Sequence, residues 1–222
     1  MLGYSSYFME SVSNVGVLDK AVHVVRAIEE FGPQTLLDLQ ASTGLPRATL
    51  HRLAVALETH GLLRREGSGR FCLGLGLVAL GAAAAAAFPI AGLARPRLMA
   101  LCQHTGESVQ LYVREGDRRR CAVSLPSPHG LRWIVSEGAL LPLHLGSAGR
   151  VLSGELSDLG WIETVEEREP GVASVSAPVA RADTGILAAV SIGGPVERMT
   201  RRPGSRFGPE VAAAASEIAA SL

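Results

Sequence analysis

The sequence predicts an α+β fold with two units: an N-terminal winged helix-turn-helix and a C-terminal domain built on an antiparallel sheet. Three observations lead to this prediction. Two amphipathic helical patterns flank Gly44, and a basic hairpin pattern around Gly67-Ser68-Gly69 follows them. An alanine-rich, uncharged stretch then separates this unit from the rest of the chain. Beyond it, short alternating runs with turns between them are bracketed by helical patterns, which is typical of an α+β domain.

Composition is that of a folded chain without a basic excess. The 222 residues carry 21 Lys and Arg against 21 Asp and Glu, and 47% are hydrophobic. This length allows one large or two modest domains. Charge is nevertheless uneven, because between Gly44 and Leu73 five arginines (47, 52, 64, 65 and 70) outnumber two acidic residues, Glu58 and Glu66. Phosphate contacts need such a local excess rather than a basic whole.

Cysteine usage argues against a metal site or a disulfide framework. Cys72, Cys102 and Cys121 are widely spaced and odd in number, with no CxxC or Cys/His cluster. The sequence therefore predicts no metal and no cofactor. A reducing cytoplasm fits this usage, and we expect no signal peptide because no basic stretch followed by an apolar run opens the chain.

The first elements are predicted to form a helical unit. Residues 1–13 are expected to be a loose tail, and Gly32-Pro33 ends the helix that follows. Thr35 is the predicted N-cap of the next helix, with Asp38 near the capping-box pattern and Gly44 supplying the turn. The first helix is expected to pack on this pair through a stripe made of Leu18, Ala21, Val22, Val25 and Ile28.

The helix after Gly44 has one apolar and one polar face. Pro46 suits its first turn, where the missing N–H costs nothing. The buried stripe is predicted to be Leu50, Leu53, Ala54 and Leu57. The other, early face is where a helix that enters a DNA major groove presents its side chains. The predicted DNA contacts on this face, weighed against an ordinary solvated face, are Arg47, Ala48, Thr49, His51 and Arg52. Thr35, the N-cap of the preceding helix, is also a predicted DNA contact.

The hairpin that follows has the composition of a wing. Gly61 ends the helix, and Gly67-Ser68-Gly69 is a hairpin-turn composition between basic flanks. Side chains on such a wing are expected to contact phosphate or the minor groove rather than to read bases. The predicted contacts are Arg64, Arg65, Ser68 and Arg70.

Residues 75–88 are predicted to form a helix, since they include six consecutive alanines and alanine is the best helix former. The uncharged run 71–94 raises the question of a membrane span. That run is mostly Ala and Gly and contains Pro89, so a buried or dimer-packing helix is the preferred interpretation. The resulting units are a DNA-binding domain at 14–74, a linker helix at 75–89 and a second domain at 90–222.

The second domain is predicted to hold an antiparallel sheet with helices at both of its ends. Helices are expected at 93–104 and 207–222, with a short one within 146–154. Hairpin-like spacing predicts strands at 108–115, 119–125, 131–135, 140–145, 171–179 and 186–192, and Trp161 begins another.

An enzyme is the rival class of protein, with a small hydrolase as the remote alternative. Ser147 lies in Gly-Ser-Ala-Gly but lacks the GxSxG spacing of a nucleophile elbow. His129 and His144 are isolated candidates for a base. Glu166 and Glu167 are adjacent, so on a strand they would point to opposite faces and could not act as a pair. We therefore expect no catalytic residues.

Three stretches resemble the IclR family of bacterial transcriptional regulators, in the family's order and over nearly the whole chain. Residues 15–74 resemble its N-terminal domain, 93–152 the start of its effector-binding domain and 167–200 the end of that domain. The GVLDKA and EREPGVASVSAPV blocks resemble its actinobacterial branch linked to amino-acid and nitrogen metabolism, the NdgR type. The resemblance implies a winged helix, a dimerising linker helix, a GAF-like effector domain, and homodimers or tetramers on palindromic operator DNA.

The resemblance also implies an effector pocket, whose predicted residues are Gly146, Ser147, Ala148, Thr164, Ser174, Ser191 and Gly193. Thr164 and Ser174 stand where carboxylate-binding members of the family often have an acidic or polar residue and a cysteine. The segment between Val151 and Trp161 is shorter than in the family, which usually has further helices there. The ligand class therefore does not transfer, and the site is either more open or no longer binds a ligand.

The sequence thus predicts a cytoplasmic, sequence-specific DNA-binding regulator, neither an enzyme nor a membrane protein. A small-molecule effector, such as an amino acid or organic acid, is expected to change its affinity for double-stranded operator DNA. The alternative is a constitutive DNA-binding regulator whose second domain only dimerises.

Overall fold

The computed structural model describes residues 16–222, and the predicted tail at 1–13 lies outside them. The chain divides into two compact units, Met1–Ala87 and Phe88–Leu222. Each unit has a hydrophobic core of its own.

The first unit contains four helices and a two-stranded antiparallel hairpin, in the described part of the chain. In order these are α1 (Gly16–Phe31), α2 (Leu36–Thr43), α3 (Arg47–Thr59), β1 (Leu63–Arg65), β2 (Phe71–Leu73) and α4 (Gly76–Ala87). The two strands pair with Arg64 opposite Cys72. The predicted helix-turn-helix with a wing is confirmed.

Capping interactions define α2 as predicted. The Thr35 hydroxyl accepts a hydrogen bond from the Asp38 amide at 3.2 Å, and Asp38 Oδ2 accepts one from the Thr35 amide at 2.9 Å. Gly44 ends the helix with φ +68, a left-handed conformation that glycine adopts without strain. The capping box and the glycine turn together set where α3 begins.

The core of this unit confirms the predicted stripe of α3 and corrects that of α1. Leu50, Leu53, Ala54 and Leu57 of α3 are all buried. On α1 the predicted Ile28 is buried and Ala21 and Val25 are partly buried, but Leu18 and Val22 are exposed, and Val24 and Ala27 are buried in their place. The helix packs on α2 and α3, and its buried side chains all belong to its C-terminal half.

Gln34 joins the wing to the helices and was not predicted. Its amide and carbonyl exchange hydrogen bonds with Phe71 of β2, at 2.9 Å and 2.7 Å. Its buried side chain donates to the Ala27 carbonyl and accepts from the Ser42 hydroxyl. The wing is therefore fixed relative to α1 and α2.

Helix α4 is confirmed, but it is not a buried helix. It has no buried residue, and Val78 and Leu80 are among its exposed large hydrophobic side chains. Among the described residues, no single helix is long and apolar enough to cross a membrane, and only the bent pair formed by Gly76–Ala87 and Ile90–Thr105 meets the length and composition test.

The second unit is an antiparallel six-stranded sheet with helices. Its elements are α5 (Ile90–Thr105), β3 (Ser108–Glu115), β4 (Arg118–Leu125), β5 (Leu140–Pro142), α6 (Ser147–Leu152), β6 (Ile162–Val165), β7 (Val172–Arg181), β8 (Gly185–Pro195), α7 (Val196–Met199) and α8 (Pro203–Ala220). The strand order is β5-β4-β3-β8-β7-β6, and every pair of neighbours is antiparallel.

Alternation along the strands gives this sheet two different faces. One face is aliphatic, with residues such as Leu111, Val175 and Val190 packed against α5 and α8. The other face lies under α6 and is partly polar, with Gln110, Ser176 and Ser191 among its buried residues. The candidate ligand site is on this second face.

Three predictions for the second unit are corrected. Residues 131–135 form no strand, because the buried Val135 and the partly buried Trp133 pack over the polar face of the sheet instead. The predicted strand at 140–145 stops at Pro142, where pairing with β4 ends. The last helix begins at Pro203 rather than at residue 207, after the short α7.

Candidate functional site

The early face of α3 is exposed and positively charged. Arg47 and His51, like Ala48 and Arg52, are four residues apart, so each pair shares one side of the helix. All four are exposed, whereas Thr49 is half-buried. In the described part of the chain neither Arg47 nor Arg52 forms an ion pair. Both guanidinium groups are therefore available to an external partner.

The wing carries the remaining predicted DNA contacts. Ser68 is exposed at its tip, and Arg64 and Arg65 are exposed with only long contacts to Glu66 and Glu58, at 3.9 Å and 3.7 Å. Arg65 also stacks over the Phe71 ring. Exposed ion pairs of this length contribute little to stability, so DNA phosphates can replace the glutamates as partners of these arginines.

Two predicted DNA contacts have local structural roles. Arg70 donates through Nε, at 3.0 Å, and through Nη2 to the Pro33 carbonyl, which ties the wing to the segment before α2. The Thr35 hydroxyl donates a hydrogen bond to Asp38 Oδ2 at 2.8 Å and accepts one from the Asp38 amide. Arg70 and Thr35 therefore fix the positions of the wing and of α2.

All seven predicted effector residues line one cavity in the second unit. This cavity has a volume of about 40 Å³ and lies between the polar face of the sheet and α6. The same cavity is lined by residues that sequence reasoning missed, namely Gln110, Tyr112, Arg119, Trp133, Glu167, Arg168, Glu169 and Val172. For two of them the alternation of side chains along β3 could have predicted the position, because Gln110 and Tyr112 lie on the face opposite Val109 and Leu111.

A chain of five hydroxyls crosses the floor of the cavity. Oxygen-to-oxygen distances are 3.0 Å from Thr164 to Ser174, 2.7 Å from Ser174 to Ser147 and 2.7 Å from Ser147 to Ser176. The chain ends with Ser176, which donates to Ser191 at 2.9 Å. Ser176 was not predicted. Buried hydroxyls of this kind are stable only because each one has a partner.

The loop before α6 presents its backbone to the same cavity. The Gly146 amide donates to Glu167 Oε1 at 2.9 Å, and the Ser147 amide donates to the Thr164 hydroxyl at 3.1 Å. Arg119 supports the loop from beneath, because its Nη1 donates to the carbonyls of Pro142 and Leu145. Loop and strands are thus joined around one polar centre.

Burial shifts the pKa of three groups in this centre. It raises the pKa of the Tyr112 hydroxyl well above its usual range and raises that of the Cys121 thiol to about 12. It lowers the pKa of the Arg119 guanidinium to about 10. At neutral pH the tyrosine and the cysteine are therefore neutral and the arginine remains a cation. Cys121 is fully buried.

The site lacks the geometry of a hydrolase in the described residues. The hydrogen-bond partners of Ser147 Oγ are other hydroxyls, and His129 and His144 are exposed. Glu166 and Glu167 lie in the turn after β6 rather than on a strand, and Glu166 has φ +58. No group of three or more His, Cys, Asp or Glu side chains able to hold a metal occurs in the described chain.

A winged helix-turn-helix joined to a sheet domain with a polar cavity defines a two-domain, DNA-binding transcriptional regulator. Residues 17–67 match the IclR helix-turn-helix domain, and residues 82–159 and 154–220 match the bacterial transcriptional regulator IclR C-terminal domain. The chain belongs to the IclR family. The matched families and relatives are regulators, not enzymes.

Curated relatives align over most of their lengths. The HTH-type transcriptional regulator KipR of Bacillus subtilis is 26% identical over 75% of this chain and 80% of its own length. The transcriptional repressor IclR of Escherichia coli is 23% identical, covering 86% and 83%. The glycerol operon regulatory protein of Streptomyces griseus is 26% identical, covering 94% and 95%.

Solved structures share the fold. The Thermotoga maritima IclR structure has a TM-score of 0.75 at 20% identity, covering 93% of this chain and 98% of that one. An IclR homologue from Microbacterium hydrocarbonoxydans in complex with 4-hydroxybenzoate has a TM-score of 0.73 at 20% identity, covering 93% and 100%. This likeness supports the α+β architecture, with helix-turn-helix first and antiparallel sheet second.

Proposed function

We propose that this chain is a sequence-specific regulator whose affinity for operator DNA is changed by a small molecule bound in its second unit. The observation that carries the proposal is the exposed early face of α3, where Arg47 and Arg52 form no ion pair with other described residues, beside a basic wing. In this proposal residues 14–74 bind DNA, residues 75–89 link and dimerise, and residues 90–222 bind the effector. Because a regulator of this kind acts on chromosomal DNA, we also propose that it lies in the bacterial cytoplasm.

Arg47 and Arg52 are the proposed base readers. An arginine can bond the O6 and N7 atoms of guanine bidentately, and such a contact is worth about 1–3 kcal/mol of discrimination. Thr49 is short and half-buried, so it suits a phosphate or a thymine methyl. The arginines of the wing suit phosphates, because their long ion pairs are exposed and easily exchanged.

A homodimer or tetramer is the proposed assembly. Helix α4 exposes Val78 and Leu80 together with a run of alanines, and small side chains allow two helix backbones to approach closely. A two-fold dimer also matches a palindromic operator, because each half-site then meets an identical reading helix. The NdgR-type branch is proposed on the GVLDKA and EREPGVASVSAPV blocks.

The effector is proposed to occupy the cavity beneath α6. Its seven predicted residues converge there, and one relative of known structure is described as a complex with 4-hydroxybenzoate. For the effector to act, it must prefer one conformation of the regulator over another. An amino acid or organic acid is the proposed class.

Two observations favour the constitutive alternative. The cavity holds only about 40 Å³, whereas ligand sites usually have roughly 300–1,000 Å³. The match to the C-terminal family domain is also split into two stretches, which overlap at residues 154–159. This overlap lies within the segment between Val151 and Trp161 that we consider shortened. A regulator that dimerises through its second unit and senses nothing would have such a site.

The DNA-binding half is tested with the full chain on DNA enriched from a random-sequence library. Arg47→Ala and Arg52→Ala should each weaken binding by about 1–3 kcal/mol and relax specificity at one position. Arg97→Ala removes an exposed arginine of α5 and is the control. Unchanged affinity and an unchanged salt dependence in both α3 variants would show that another surface reads the DNA.

The effector half is tested by thermal unfolding in the presence of amino acids and organic acids, including 4-hydroxybenzoate. A ligand of the folded state raises the unfolding temperature by mass action. If no compound stabilises a chain that binds DNA normally, the constitutive alternative is correct.

A further inference from the structure

The first turn of α4 is attached to the end of α3. Helix α3 ends in a Schellman motif, because the Leu62 amide donates to the Leu57 carbonyl at 2.9 Å and Gly61 has φ +70. The Gly61 carbonyl accepts a hydrogen bond from the amide of Gly76, the first residue of α4, at 3.0 Å. The residue that ends the reading helix therefore also holds the beginning of the linker helix.

Gly74 and Gly76 lie too close to this carbonyl to carry a side chain. A Cβ at Gly76 would lie 2.7 Å from the Gly61 carbonyl oxygen and 3.1 Å from its carbonyl carbon, and a Cβ at Gly74 would overlap both atoms. Neither Gly74 nor Gly76 has a φ in the left-handed region. The close approach of two backbone segments is therefore the reason for glycine at both positions.

Beyond its first turn, α4 is exposed along its remaining length. Gly76 and Leu77 are half-buried, whereas every residue from Val78 to Ala87 is exposed. Packing against the described part of the first unit is thus confined to the start of the helix. The direction in which α4 leaves α3 therefore depends on the contact among Gly61, Gly74 and Gly76, which we call the glycine contact.

We propose that the glycine contact determines which spacing between two DNA half-sites the regulator accepts. This inference rests on the proposed function, in which two chains dimerise through α4 and each α3 reads one half-site. In that assembly the distance between the two reading helices depends on the angle between α3 and α4, and the half-site spacing follows from that distance. The three glycines are positioning residues, because they act on specificity through the placement of α3.

A small change at the glycine contact is large enough to alter the spacing. A Cβ at position 76 needs an ordinary contact distance of about 3.5 Å rather than 2.7 Å, so the first turn must move away from Gly61. Helix α4 has 12 residues and therefore spans about 18 Å. A tilt of about 10° over that length moves its far end by about 3 Å, which is close to the rise of one base pair.

The test compares the full parent chain with Gly76→Ala on DNA that carries two inverted half-sites. The half-site is the one selected from the random-sequence library, and spacers of every length up to one helical turn, about 10 base pairs, separate its two copies. Gly76→Ala should prefer a spacer that differs by about one base pair from the parent's, or bind several neighbouring spacers equally. The measured quantity is the ratio of the affinities for different spacers, which a general loss of stability does not change.

Two further variants complete the comparison. Leu77→Ala removes a half-buried side chain of the same turn without adding an atom, so it loosens the attachment without overpacking and should also accept several spacers. Gly16→Ala is the matched control, because Gly16 is the first residue of α1, is exposed and has open space where a Cβ would lie. It should keep the parent's spacing.

Hydrogen exchange of the parent chain tests the contact itself without any variant. The first four amides of a helix have no acceptor within that helix. Slow exchange at the Gly76 amide therefore reports its bond to the Gly61 carbonyl. We expect this amide to be protected relative to an unfolded chain.

Three results would overturn the inference: Gly76→Ala and Leu77→Ala keep the parent's spacing, they lose affinity equally at every spacer, or the Gly76 amide of the parent exchanges as in an unfolded chain. If the parent itself binds single half-sites as well as paired ones, the proposed dimer on palindromic DNA is wrong and the inference fails with it. A fixed spacing that the parent shares with both variants contradicts the role of the glycine contact alone and leaves the proposed function intact.

Discussion

The indole ring of Trp161 lies directly against the backbone of Gly208, so closely that a Cβ at Gly208 would overlap the ring atoms. Gly204, one turn earlier on α8, approaches the same ring, and its amide donates to Glu163 Oε2 at 2.6 Å. The edge strand β6 is thereby attached to α8 at the residue where the short segment after α6 ends. This contact explains how residues 153–161, which form no helix, can still connect α6 to the sheet.

We predict that Gly208→Ala destabilises the second unit. Its methyl group would displace Trp161, and overpacking of this kind costs about 1–3 kcal/mol, although alanine is the better helix former. The free energy of unfolding is measured in urea by tryptophan fluorescence, because both tryptophans belong to this unit.

Gly92→Ala is the matched control for that experiment. Gly92 is also within a helix, but a Cβ there meets open space, so the variant should be at least as stable as the parent chain. Equal effects of the two substitutions would mean that the Trp161 contact does not constrain α8.

The sequence predicted correctly those elements that depend on local patterns, and it failed where contacts with distant residues decide the structure. The stripe of α3 was predicted because its apolar residues fit only one helical face. On α1 the apolar residues Val17, Leu18, Val22, Val24 and Val25 fit more than one face, and packing on α2 and α3 decides which face is buried. Residues 131–135 alternate like a strand, but no partner strand is available, since β4 pairs with Leu140–Pro142 instead.

We predict that the capping box of α2 makes stability depend on pH. Hydrogen bonds from the Thr35 amide and hydroxyl hold the pKa of Asp38 below its ordinary value of 3.8. A lowered carboxyl pKa stabilises the folded state above the ordinary pKa, and this contribution is lost as the pH falls through the folded-state pKa. Asp38→Asn should therefore be less stable than the parent chain at about pH 7, and the difference should be smaller at about pH 3, below the ordinary pKa of the carboxyl group.

Urea unfolding followed by far-UV circular dichroism measures this difference, since the first unit contains no tryptophan. Asp158→Asn, an exposed change of the same charge in the second unit, is the control. A gap between parent and Asp38→Asn that is the same at both pH values would contradict the predicted role of the carboxylate.

Only some residues of the candidate site could be predicted from the sequence. Ser147, Thr164, Ser174 and Ser191 came from the resemblance, and the structure places them in one hydroxyl chain. Arg119 did not stand out, because it lies among three consecutive arginines of which it alone is buried. A bulge between Leu111 and Tyr112 sets the β3–β4 register from which Arg119 reaches over the Tyr112 ring, and such a register is not visible in a single sequence.

We predict that the hydroxyls of Ser176 and Ser191 are energetically coupled. Ser176→Ala leaves the Ser191 oxygen without its donor and also removes the partner of the Ser147 hydroxyl, whereas Ser191→Ala leaves the Ser176 proton without its acceptor. Each variant should lose about 1–3 kcal/mol for each buried partner that it leaves unsatisfied. The double variant should lose less than the sum of the two, since it removes both members of the bond. Urea unfolding of the four chains measures this coupling, with Ser153→Ala, at an exposed position after α6, as the control. Strict additivity would mean that the two hydroxyls are satisfied independently of each other.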